Sequence, residues 1–101
     1  MSEIDYQRTD DGRFLAWVFA AGDRNLLRRC SDCLVTELGA QPTERFDGMD
    51  QIFLDFILAG VPIVLQWTQG RGVAVGADAS SEESRALVQR VARYLGERVV
   101  P

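Results

Sequence analysis

The stretch "QIFLDFILAGVPIVLQWT", residues 51–68, constrains the fold more than any other part of the chain. Two runs rich in aromatic and branched aliphatic residues flank Ala59–Gly60, and a two-residue loop between such runs closes a β-hairpin. The loop length also fixes the register. Leu58 then faces Val61, Phe56 faces Ile63, Leu54 faces Leu65 and Ile52 faces Trp67, so one side of the hairpin is apolar throughout. The other side pairs Ile57 with Pro62, Asp55 with Val64 and Phe53 with Gln66, a mixed surface. A sheet with one apolar face needs a second layer to cover it.

Two segments have the period of covering helices. Over residues 24–38, Leu26, Leu27, Cys30, Leu34 and Leu38 form one stripe, with Asp23 placed to cap the start and Gly39 to end the helix in a left-handed turn. The second, within "DASSEESRALVQRVARYLGERV", carries Leu87, Val88, Val91, Tyr94, Leu95 and Val99. Ser80 and Glu83 there have the spacing of a capping box. Before and after the hairpin, residues 4–8, 13–20 and 73–77 read as strands, and 43–47 as a short edge strand. The "TDDG" and "QGRG" segments supply turns.

The expected fold is therefore α+β, in the order β-β-α-(β)-β-β-β-α. It is a mostly antiparallel sheet of about four to six strands with two helices on one face, in a single domain over residues 1–101. The helices would cover Ile52, Leu54, Phe56, Leu58, Ile63, Leu65 and Trp67, joined by Leu15, Trp17 and Phe19 from the first long strand. Phe14, Ala16, Val18, Phe53, Ile57 and Val64 would then lie on the open face, broken by Asp55, Gln66 and Thr68. A contiguous apolar patch on a soluble domain marks an interface. The candidate interface residues are Phe14, Phe53, Asp55, Ile57, Val64 and Gln66.

Composition removes several other functions. The chain has no histidine, and so lacks the commonest general base and the commonest neutral metal ligand. Ser–His and Cys–His nucleophile pairs are excluded within it. All 11 basic residues are arginine, against 15 acidic ones, and the net charge is −4. Nucleic-acid binding favours a basic patch, so no nucleic-acid partner is expected, whereas an acidic surface favours a basic protein. No run is long and uninterrupted enough to span a bilayer, and the polar start "MSEIDYQRTDDGR" is unlike a signal peptide, so the expected location is cytoplasmic with no membrane partner.

One motif resists this account. Cys30 and Cys33, in "RRCSDC", have the spacing of dithiol redox sites and of half a zinc site. Redox cysteines sit at a helix start, where the terminal field stabilises a thiolate, yet Cys30 falls about two turns inside its helix. Two cysteines without histidine are half a zinc ligand set. Cys30 instead continues the apolar stripe. The acidic residues Glu44, Asp47, Asp50 and Asp55 lack the alternating spacing of a calcium loop, and "QGRG" lacks the strand–loop–helix setting of a phosphate site.

The expectation is a non-enzymatic domain, without cofactor, metal or catalytic residues. It would bind another protein or itself, with a homodimer one form of this, through the open sheet face or a strand edge. Such a domain would serve as an adaptor, a chaperone-like protein or an inhibitor- or immunity-like protein, an expectation by analogy of architecture. The alternative is a small thiol-redox protein using Cys30 and Cys33.

Overall fold

A computed structural model describes residues 3–101 of the chain. Its elements are β1 (Asp5–Arg8), β2 (Arg13–Phe19), α1 (Arg24–Leu38), β3 (Gln41–Asp47), β4 (Gln51–Leu58), β5 (Val61–Thr68), β6 (Gly72–Asp78) and α2 (Glu82–Arg98). The strands make one six-stranded sheet in the order β1-β2-β6-β5-β4-β3, with every neighbouring pair antiparallel. The chain thus builds β1 and β2 at one side, crosses over as α1, and lays down the β3–β6 meander back towards β2. The α+β class and the element order are those expected from the sequence.

Local chemistry explains the boundaries. The Asp23 carboxylate accepts from the Leu26 amide at 3.1 Å and caps α1. Gly39 ends the helix with φ 74°, and its amide and that of Ala40 both return to the Leu34 carbonyl. At α2 the cap is Ser81, whose hydroxyl accepts from the Ser84 amide at 3.2 Å. The expected capping box at Ser80 and Glu83 does not form, because Ser80 bonds the Asp78 carboxylate through its amide and hydroxyl. That turn places the helix start one residue later.

The hairpin register is the one set by its loop, from Leu58 opposite Val61 to Gln51 opposite Thr68. Both helices pack on the face carrying Ile52, Leu54, Phe56, Leu58, Ile63, Leu65 and Trp67, all of which are buried in one core with the stripes of α1 and α2. α2 lies against β2, β5 and β6, and α1 against β5.

β2 departs from expectation. Ala16 pairs with Val75 and Phe14 with Ala77, which puts Phe14, Ala16 and Val18 on the helix side. Leu15 and Trp17 face the other way and form a small separate cluster with Ala74. The register of β2 on β6 shifts between Trp17 and Phe19, so Val18 and Phe19 both enter the main core. This bulge breaks strict alternation within the strand. Gly72 makes the close approach possible. It has φ 99°, and a Cβ there would stand 1.9 Å from the Phe19 carbonyl oxygen.

Candidate functional site

The face away from the helices is built in rows across the strands. One row runs Phe46, Phe53, Gln66, Ala74, Trp17 and Asp5. The next carries Asp55, Val64, Gly76, Leu15 and Gln7. These rows divide into two halves with different fates.

On the β1–β2–β6 half the chain covers itself. Trp17 lies over the small side chain of Ala74 and is 6% exposed. Its indole N–H donates to Gln7 Oε1 at 3.1 Å, and the Arg71 guanidinium stacks 4.5 Å from the ring centroid. A cation over an indole face is favourable and also excludes water from it. Arg71 comes from the "QGRG" segment, which is the tight turn between β5 and β6. Leu15 fills the place where Gly76 has no side chain, since a Cβ there would meet Leu15 Cδ2 at 2.4 Å.

On the β3–β4–β5 half no such lid exists among the described residues. Phe53, Ile57 and Val64 are half-buried, Pro62 is exposed, and Phe46 is 59% exposed while tilted against Phe53 at 6.1 Å between ring centroids. Of the interface residues expected from the sequence, Phe53, Asp55, Ile57, Val64 and Gln66 do share this face. Phe14 does not. It stacks on Tyr6 at 5.7 Å on the helix side, packed against the main core, because β2 presents its even-numbered residues there. Phe46 and Pro62 join the patch instead. Sequence reasoning passed over Phe46 because the edge strand's register was unset, although an aromatic in an otherwise polar edge strand is itself a signal.

Two polar groups interrupt the patch. Gln66 is 6% exposed; its amide nitrogen donates to Thr68 Oγ1 at 3.2 Å, and its amide oxygen is buried with no donor among the described residues. Such an orphaned acceptor is costly in an isolated chain. Asp55 is half-buried between Phe53 and Ile57 on β4, opposite Val64, and has no ion pair or hydrogen bond among the described residues. On its other side the β3 ladder is interrupted. Pro42 pairs with Phe56 and Arg45 with Leu54, so Thr43 and Glu44 together oppose the single residue Asp55.

A cleft of about 490 Å³ opens beside this carboxylate, lined by Asp55, Ile57, Pro62, Val64, Gly76 and the β1–β2 turn residues Asp11 to Arg13 among others. Among the described residues one arginine lines it, Arg13, with 3.4 Å between its Nε and Asp11 Oδ2 and no hydrogen bond at that Nε. The Asp11 carboxyl is held below its ordinary range, first by the Thr9 hydroxyl and also by Arg13.

The sheet edges are less inviting. β1 has four residues, and β3 carries Pro42 and the bulge, features that prevent edge-to-edge pairing.

The cysteines lie in the helix layer. Cys30 is fully buried, and desolvation pushes its thiol from 9.0 up to about 12. Cys33 is also buried and its thiol is raised, by desolvation first and then by the adjacent Glu37 carboxylate. Both shifts run opposite to the lowering that makes a reactive thiolate. Glu37 is engaged elsewhere too: it accepts from the Tyr94 hydroxyl at 2.6 Å and Arg98 Nε at 3.0 Å, tying α1 to α2. The described residues bring no three metal-ligating side chains together, and none of their helices is long and apolar enough to cross a membrane. Nor do Glu44, Asp47, Asp50 and Asp55 converge: Asp47 pairs with Arg45 at 2.7 Å on the helix side of β3, while Asp55 points to the open face.

Comparison with family models, with curated proteins and with solved structures gives no match.

Proposed function

We propose that this chain is a non-enzymatic protein-binding domain whose contact surface is the β3–β4–β5 half of the open sheet face. The observation that carries this reading is the contrast between the two halves of one face. Where the sheet carries Trp17 and Leu15, the chain supplies Gln7 and Arg71 as a lid. Where it carries Phe46, Phe53, Ile57, Pro62 and Val64, the described residues supply none. A contiguous apolar patch with aromatic residues and a polar rim has the composition of a protein interface. The blunted edges favour the face over strand addition. The raised thiols weigh against the redox alternative, and the absence of histidine weighs against an acid–base enzyme.

Phe46→Glu tests this reading. Phe46 is largely exposed, so the substitution leaves the fold and its melting temperature nearly unchanged, within about 0.5 kcal/mol. Complexes formed by the chain, with itself or with a protein that co-purifies, should weaken at least tenfold. Val35→Glu, on the exposed side of α1, serves as the control and should have no effect. Complexes that survive Phe46→Glu but not Val35→Glu would move the binding surface to the helix layer and sink the proposal.

A further inference from the structure

Resting on that reading, we infer that the open face receives a cationic segment of a different protein, with an arginine or lysine side chain seated in the cleft against Asp55, and not a second copy of this chain. The argument begins with the placement of one carboxylate. Asp55 stands between Phe53 and Ile57 on a half-buried apolar face, and no cation of the described residues neutralises it. Covering this face with an apolar surface would strip water from the carboxylate and leave it unpaired, which is strongly unfavourable. A guanidinium or ammonium group removes that penalty and adds a charge-assisted hydrogen bond.

The surroundings admit such a group. The cleft beside Asp55 holds about 490 Å³, ample for a long side chain, and Ile57, Pro62 and Val64 provide apolar walls for its methylene stem. Asp11 and Asp78 also line it and Arg13 lies 3.4 Å from Asp11 as an ion pair, so three carboxylates against one guanidinium leave the charge in the cleft negative. At the bulge Thr43 and Glu44 face Asp55 from β3, and Thr43 also lines the cleft. One row away, the unpaired Gln66 amide oxygen adds an acceptor to the same face. Arg13 Nε is the one buried donor at this cleft without a hydrogen-bond partner, set against the Asp55 carboxylate and the Gln66 amide oxygen among the described residues, and a cationic segment brings donors to those acceptors.

The same placement disfavours self-association. A two-fold dimer applies one patch to its own copy. Centred on this patch, it would bring Asp55 towards the partner's Asp55, and like charges facing each other across a closing interface repel.

Calorimetric titration with three short synthetic peptides tests the inference: alternating leucine and arginine, alternating leucine and citrulline, and alternating leucine and glutamate. The inference predicts that the arginine peptide binds about tenfold more tightly than the citrulline peptide, and the glutamate peptide least of all. Asp55→Asn should abolish the arginine preference, and Asp32→Asn, which removes an exposed carboxylate of α1, should preserve it. Equal affinity for arginine and citrulline peptides, or equal effects of the two aspartate substitutions, would overturn the cationic partner. The binding face would nevertheless stand if Phe46→Glu abolished that binding. A dimer in sedimentation that Phe46→Glu dissociates would likewise overturn this inference in favour of a second copy, while keeping the face. No peptide binding together with a strict monomer would overturn both.

Discussion

At the scale of single residues, the chemistry of this chain is decided by burial more than by motif. Cys30 and Cys33 have the spacing of a reactive pair, but their helix turns both into the core. A fully buried Cys30 retains its proton until about pH 12, whereas the unfolded chain releases it near 9.0. Between those values the unfolded state binds fewer protons, so stability falls as pH rises; the contribution is complete below about 9 and gone above about 12. Denaturant titrations across this window should show the midpoint dropping with pH, and Cys30→Ala should flatten the drop. Alkylation followed by intact mass should leave Cys30 unlabelled in the native protein at pH 8 and label it after denaturation. Fast native labelling of Cys30 would restore the dithiol reading. This part of the site was legible in the sequence, because Cys30 completes a stripe with Leu26, Leu27 and Leu34.

At the scale of elements, the account turns on backbone geometry that side-chain patterns do not carry. Both helices and the β4–β5 hairpin could be read from caps and cross-strand pairs, since local hydrogen bonding and one-sided burial determine them. The facing of β2 could not. A bulge between Trp17 and Phe19 turns Val18 and Phe19 into the same core, and its signal lies in Gly72, more than fifty positions away in sequence. That residue is also the most demanding glycine of the chain. A methyl group there would meet backbone at 1.9 Å and 2.8 Å, from Phe19 and Ala21, at a φ that L-residues rarely adopt. Gly72→Ala should therefore cost about 3 kcal/mol or more in chemical denaturation. Gly39→Ala, where a Cβ meets nothing within 4 Å, should cost only the left-handed penalty of about 1 kcal/mol. Equal costs at the two positions would mean that β2 and β6 do not approach each other as described.

At the scale of the whole molecule, a two-layer arrangement leaves one sheet face without a helix layer, and the described residues protect only half of it. Trp17 is covered by side chains from β1 and from the β5–β6 turn. The uncovered half was foreseeable in part. Phe53, Asp55, Ile57, Val64 and Gln66 follow from the hairpin register alone, whereas Phe46 depends on a strand pairing, and Phe14 on a bulge, that no local pattern sets. The bulge opposite Asp55 was equally hidden, because it lies in a strand pairing and not in a local pattern.

The measurement that tests this account most directly is amide chemical-shift mapping of the isotope-labelled chain titrated with the leucine–arginine peptide. The account predicts shifts concentrated at Phe46, Phe53, Asp55, Ile57 and Val64, with α1 and α2 undisturbed. Shifts centred on the helices, or on β1 and β2, would contradict it.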